Sequence, residues 1–69
     1  MGYLVVIEKA ESNYSAYVPD LPGCVATGRT RAEVREMIGS AIAMHLEGMR
    51  EDGVRIPEPA ASAEVVEVT

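Results

Sequence analysis

Two side chains in this sequence, His45 and Cys24, have the chemistry of a general base or a nucleophile. No Asp, Cys or second His lies at helical spacing from His45, so a hydrogen-bonded core or interface histidine is favoured over a catalytic one. No basic residue adjoins Cys24 in sequence to lower the pKa of its thiol, which favours a small buried side chain. No Cys/His cluster has the spacing of a metal site. The sequence therefore predicts no catalytic residue, no metal and no cofactor.

The most informative segment lies between residues 17 and 30 and contains two prolines. Pro19 and Pro22 each fix φ and lack an N–H, so neither a helix nor a central strand passes through Asp20 and Leu21. We expect a stiff, exposed connector there. Asp20 is interpreted as an acceptor for nearby turn amides. The alternative interpretation is that the rigid loop presents the Asp20 carboxylate to a basic partner.

Three short strands are predicted before a single helix. Residues 3–9 are almost continuously apolar and rich in β-branched side chains, which predicts a strand that is central in its sheet. A turn at residues 10–13 makes residues 14–18 the second strand of an antiparallel hairpin, and residues 24–28 form a third strand. Gly28 is interpreted as the flexible point at which the chain bends from sheet into helix.

The helix is predicted from the signals at its two ends. Thr30 and Glu33 match a capping box, in which the Thr30 hydroxyl accepts from the Glu33 amide and the Glu33 carboxylate reaches back to the Thr30 amide. Gly53 supplies a left-handed stop after Glu51. The pattern therefore predicts a helix of roughly 21 residues, about 30 Å long.

The apolar face of this helix is broader than one sheet requires. It covers an arc of roughly 200°, whereas packing on a single sheet needs little more than about 100°. We expect Met37, Met44, His45 and Leu46 to contact a second copy of the chain, or the C-terminal segment to cover them. A domain of 69 residues buries only about 60% of its unfolded surface. A homo-oligomer is therefore the leading expectation.

The C-terminal part of the chain is predicted to end in a fourth strand. Residues 54–62 contain Pro57 and Pro59 and are typical of an extended connector, and residues 63–68 alternate enough to form a short strand. The fold class is thus α+β, a single domain over residues 1–69 in the order βββαβ. One long helix packs on one face of an antiparallel sheet.

Charge and composition exclude several classes of function. Six Lys and Arg against eleven Asp and Glu give a net charge of −5, the wrong sign for direct nucleic-acid binding. Arg29, Arg31 and Arg35 are interpreted as a solvated face, because aromatic residues are not interleaved with them. A lone cysteine, no apolar run near the roughly 18 residues of a membrane span and no leader pattern predict a cytoplasmic protein without membrane contact.

An ordered set of motifs resembles the HicB family of antitoxins. The matching residues are Tyr14 and Tyr17, residues 18–24 (Val-Pro-Asp-Leu-Pro-Gly-Cys), Gly28, Thr30, Ala41-Ile42, His45-Leu46, Gly53 and residues 56–59 (Ile-Pro-Glu-Pro). So many elements in order, over nearly the whole chain, form a specific signal. The resemblance implies a partial ribonuclease-H-like (HicB-like) fold and a role in a toxin–antitoxin system.

The resemblance also implies a partner. Members of the family bind a small HicA-like toxin, a messenger-RNA-cleaving ribonuclease with a catalytic histidine, and keep it inactive. We expect Tyr17, Asp20, Leu21 and Pro22 to form the partner-binding surface. Many members add a C-terminal DNA-binding segment, which we do not expect in a sequence that stops at Thr69. The alternative function is a stand-alone homo-oligomeric module that binds itself or a small ligand.

A ribonuclease-H-like fold raises the question of nuclease activity, since active members gather several carboxylates around two metal ions. Here Glu8 falls late in the first strand, Asp20 in the proline turn and Glu33 in the capping box. The remaining helical acids lie on its polar side. The constellation for a nuclease site is missing, and we expect a protein without catalysis of its own.

Overall fold

The computed structural model describes residues 1–69 and shows three strands followed by one helix. The strands form a single antiparallel sheet in the order β1-β2-β3, and the helix α1 packs on one of its faces. This confirms the predicted α+β class and its βββα arrangement. The elements are β1 (Val6–Lys9), β2 (Tyr14–Tyr17), β3 (Val25–Gly28) and α1 (Arg31–Glu51).

The register of the sheet separates its two faces. Ala16 of β2 lies between Ile7 of β1 and Ala26 of β3, and all three belong to the face that packs against α1. Because side chains alternate along a strand, the neighbouring residues Val6, Tyr17 and Val25 point to the opposite face of the sheet. The helix lies over β3 and β2 rather than over β1. The inner side of β1 is therefore less well covered than the rest of the sheet.

The hydrophobic core is small. It has no buried charged side chain, and each of its members is at most 3% exposed. A core of this size is marginal for an isolated domain, since small domains bury a low fraction of their surface. Its six residues are Ala16, Val18, Leu21, Cys24, Val34 and Ile38.

The start of α1 follows the predicted capping box with one difference. The Thr30 hydroxyl accepts from the Glu33 amide at 3.0 Å, as expected. The Glu33 carboxylate reaches the Arg29 amide at 3.1 Å rather than the Thr30 amide. The reciprocal bond is thus shifted by one residue, and it still gives a partner to a backbone donor that the helix cannot satisfy.

The end of α1 is the predicted left-handed stop. Gly53 has φ of 68°, its amide donates to the Arg50 carbonyl at 3.1 Å, and the Val54 amide donates to the Met49 carbonyl at 2.9 Å. These two bonds are the Schellman pair, which satisfies carbonyls that the helix leaves free. Both boundaries of the predicted helix are confirmed.

Gly28 has a different role from the one predicted. Its φ is not positive, so the bend into the helix does not depend on the conformational freedom of glycine. A Cβ at this position would lie 2.7 Å from the amide nitrogen of Val34. Gly28 is therefore needed because the helix backbone approaches the end of β3 closely.

Two predictions about strands are wrong. The strand at residues 3–9 was expected to be central, whereas β1 is an edge strand and β2 is central. The strand expected at residues 63–68 is absent, so the βββαβ order is βββα in this structure. Both differences have one physical cause. A strand needs a neighbour for its backbone hydrogen bonds, and β2 is the only strand that pairs with β1.

Candidate protein-interaction surface

The connection between β2 and β3 consists of two consecutive tight turns. The Leu21 amide donates to the Val18 carbonyl at 3.0 Å, and the Cys24 amide donates to the Leu21 carbonyl at 3.0 Å. Pro19 and Pro22 each occupy the second position of one turn, where a fixed φ near −65° is favourable. The two turns share Leu21. The predicted stiffness of this segment thus has a clear origin in its hydrogen bonds and prolines.

Gly23 fixes the type of the second turn. Its φ is 86°, the value expected at the third position of a type II turn. A Cβ at Gly23 would meet no atom within 4 Å, so only the backbone conformation requires glycine here. The exposed face of the turn therefore has room for a partner to approach.

The prediction that Leu21 contacts a partner is corrected by its burial. The side chain of Leu21 is 1% exposed and belongs to the core, because both turns direct it inward. Pro22 is exposed beside it. Leu21 thus anchors the loop to the domain, while Pro22 lies on its free surface.

Asp20 holds the C-terminal segment rather than the turn. One of its carboxylate oxygens, Oδ2, accepts from the Ala60 amide at 3.0 Å and from the Ala61 amide at 3.1 Å. The expectation of turn-amide partners is therefore wrong. A second contact lies close by in the fold, where the Tyr3 hydroxyl donates to the Pro57 carbonyl. Residues 57–61 are tied to the same end of the sheet as the double turn.

Tyr17 lies on the outer face of the sheet, opposite α1. Its register partners are Val6 on one side and Val25 on the other. Tyr17 is 42% exposed and Val25 is 65% exposed. Exposed aromatic and aliphatic groups next to a rigid loop are typical of contact surfaces, because little conformational entropy is lost on binding. Tyr17 and Pro22 thus remain on the surface as predicted candidates.

The four residues expected at an oligomer interface do not share the same exposure. Met37 is 52% exposed and Met44 is 75% exposed. His45 and Leu46 are half-buried, and Leu46 packs against the core. Met37 and Met44 therefore provide most of the free apolar surface on this flank of α1, and the C-terminal segment leaves them uncovered.

A groove that sequence reasoning missed runs between β1 and α1. It has a volume of about 420 Å³ and is lined mainly by apolar residues, with Arg31 and Arg35 among them. A shallower hollow beside it shares these two arginines. The remaining lining residues are Tyr3, Val5, Ile7, Ile38, Gly39 and Ile42. The sequence signal was the apolar character of residues 3–7 on both faces, which favours cover on each face of β1.

The groups capable of acid–base chemistry are not assembled into a site. Burial raises the pKa of the Cys24 thiol, which disfavours the reactive thiolate. No group of three or more His, Cys, Asp and Glu side chains is close enough to hold a metal ion. None of the helices has the length and apolar character to cross a bilayer.

A family model described as "HicB_like antitoxin of bacterial toxin-antitoxin system" matches residues 3–68. The chain therefore belongs to the HicB-like antitoxin family, as its motifs indicated.

Curated relatives are known from a phage, an archaeon and a bacterium. The chain is 41% identical over 58 residues to an uncharacterized 14.9 kDa protein of Haemophilus phage HP1, covering 84% of this chain and 44% of that protein. It is 38% identical over 58 residues to a UPF0150 protein of Thermoplasma acidophilum, covering 83% of this chain and 84% of that protein. It is 43% identical over 47 residues to a UPF0150 protein of Helicobacter pylori, covering 68% of this chain and 65% of that protein.

The chain thus spans less than half of the phage protein and about two thirds of the Helicobacter protein. No solved structure matches the chain significantly.

Proposed function

We propose that the chain is an antitoxin that binds a small HicA-like, messenger-RNA-cleaving toxin and blocks it by occlusion, without catalysis of its own. The observation that carries this proposal is the family match over residues 3–68. Within that match, the rigid double turn and the neighbouring Tyr17 form a pre-organised surface of the kind that a protein partner contacts. Occlusion requires only that this surface cover the RNA-binding face or catalytic histidine of the toxin.

The charge of the chain supports a basic partner. The net charge is −5, and every acidic residue except Asp20 is exposed. Ribonucleases that bind RNA present positive charge to it, so an acidic antitoxin is attracted to the same surface. Such attraction raises the association rate and specificity more than it raises affinity. The association rate constant is therefore expected to fall as salt is added.

Two substitutions test the contact surface with toxin that co-purifies with the tagged chain. Tyr17→Ala removes an exposed aromatic group and is expected to cost about 2 kcal/mol, or roughly 30-fold in Kd. Thr27→Ala, on the same outer face but farther from the double turn, is the matched control. Equal affinity of both variants and the unsubstituted chain would remove Tyr17 from the interface.

Charge steering is tested separately with Glu58, which is exposed and lies within the anchored residues 57–61. Glu58→Gln leaves the hydrogen bonds of Asp20 in place. It is expected to slow association about two-fold at low salt and to have little effect at high salt. Glu11→Gln, in the turn at the other end of the sheet, is the control. An association rate insensitive to both charge and salt would contradict steering.

A second candidate function is a stand-alone homo-oligomeric module that binds itself or a small ligand. The exposed Met37 and Met44 favour it, since apolar side chains on a helix flank are often covered by another copy. Met44→Glu is expected to lower the assembly state under this alternative and to leave toxin affinity unchanged under the first proposal.

A further inference from the structure

The strand β1 is an edge strand although its sequence segment is apolar on both faces. Leu4 and Val6 lie on one face of the segment and Val5 and Ile7 on the other, and all four are half-buried. Sheet edges in monomeric proteins normally carry charges, prolines or bulges that prevent pairing with another strand. Here Glu8 and Lys9, the last two of the four residues of β1, are charged, and the preceding residues 3–7 carry no charge, no proline and no glycine. The edge is thus suited to receive a further strand.

The groove beside this edge has the composition of an incomplete core. Val5 and Ile7 of the β1 segment face Ile38 and Ile42 of α1 across it, because the helix is centred on β3 and β2. Arg31 and Arg35 give the groove a positive rim. A strand that fills the groove must offer apolar side chains on one face and negative charge nearby.

The C-terminal residues 63–68 have these properties, and they belong to no helix or strand. Val65, Val66 and Val68 are 95%, 71% and 86% exposed. In strand conformation Val66 and Val68 share one face with Glu64. This face matches an apolar floor and an arginine rim. Six residues extend about 20 Å, close to the length of residues 3–9.

The path of the chain directs this segment away from its own β1. Pro57 is bound to Tyr3, ahead of β1, and Ala60 and Ala61 are bound to Asp20 in the β2–β3 connection. The chain therefore moves across the sheet from the β1 side toward the other strands. No Gly or Pro follows Pro59 to reverse its direction. The radius of gyration is 13.5 Å, larger than the roughly 11 Å of a compact domain of this length.

We propose that residues 63–68 of a second copy of this chain add to the free edge of β1 and fill the groove, and that the two copies exchange these segments reciprocally. The exchange completes a four-stranded sheet in each copy. It gives Val66 and Val68 a buried environment and places Glu64 near Arg31 and Arg35. This contact is separate from the toxin-binding surface and from the Met37 and Met44 flank, and it does not rest on the proposed function.

The test is the mass of the purified chain in sedimentation equilibrium across a dilution series. The unsubstituted chain is expected to give twice its 7.4 kDa mass. Val65→Asp with Val66→Asp places one charge on each face of the segment, so it acts in either pairing register. It is expected to weaken dimerisation by about 100-fold while the helix signal in circular dichroism is kept. Ser12→Asp with Asn13→Asp, which adds the same charge in the exposed β1–β2 turn, is the matched control and is expected to stay dimeric.

A second variant tests the groove instead of the segment. Arg31→Glu with Arg35→Glu alters exposed side chains on the rim, so folding is retained, and it is expected to weaken the dimer by about 10-fold. A monomer at every concentration of the unsubstituted chain would overturn the proposal, because it would place the segment on its own β1 or leave it free. A dimer with unchanged affinity in both variants would also overturn it. None of these measurements requires a toxin.

Discussion

Gly28→Ala tests the close approach of α1 to the sheet. The added Cβ would lie 2.7 Å from the Val34 amide nitrogen and 3.0 Å from its Cα, both backbone atoms that cannot rotate away. The shorter contact is about 0.7 Å below the 3.4 Å at which ordinary contact begins. Overpacking of this kind costs about 1–3 kcal/mol, and lower entropy of the unfolded chain offsets about 0.5 kcal/mol. The expected net loss is about 1–2 kcal/mol.

This loss is large for so small a chain, whose total stability is expected to be roughly 3–10 kcal/mol. Urea unfolding followed by the helix signal measures it, at one fixed protein concentration because self-association shifts the midpoint. The control is Gly48→Ala, also in α1, where a Cβ would meet no atom within 4 Å. This control is expected to gain about 0.5–1 kcal/mol through helix propensity. A Gly28→Ala chain as stable as the unsubstituted chain would refute the packing account.

Three further predictions concern the double turn and the core. Gly23→Ala forces a Cβ onto a backbone with φ of 86° and should cost about 1 kcal/mol in urea unfolding, although no atom clashes with it. Asp20→Ala removes both hydrogen bonds to the C-terminal segment and should accelerate hydrogen exchange of the Ala60 and Ala61 amides. The free energy of unfolding should fall by about 1–2 kcal/mol. Unchanged exchange would show that these bonds do not hold the segment. Burial raises the pKa of the Cys24 thiol, so the folded thiol stays protonated while the unfolded thiol ionises above about pH 8.5. The urea midpoint should therefore fall as the pH rises past that value. Cys24→Ser should lose this pH dependence.

The sequence predicted the parts of the fold that depend on local signals. Thr30 and Glu33 set the start of α1, and Gly53 set its end, through hydrogen bonds between residues at most five positions apart. The proline positions likewise predicted the stiff connection between β2 and β3. These features follow from backbone chemistry within a few residues, so a pattern in the sequence is sufficient to find them.

The parts that failed depend on distant contacts. Asp20 binds amides that are 40 and 41 positions away, which no local pattern around the proline turn could indicate. Leu21 was placed on the surface because its neighbours are prolines, yet two turns that pivot on it direct its side chain into the core. The apolar pattern of residues 3–7 led to the prediction of a central strand, which is wrong because β1 pairs with β2 alone.

The most direct test of the antitoxin account is the ribonuclease activity of whatever co-purifies with the tagged chain at moderate salt, measured before and after the chain is stripped away with denaturant and the partner is refolded. The account predicts a small basic protein in near-stoichiometric amount that cleaves messenger RNA only after the chain is removed. Recovery of the chain alone, or of a partner that is equally active in the complex, would contradict it.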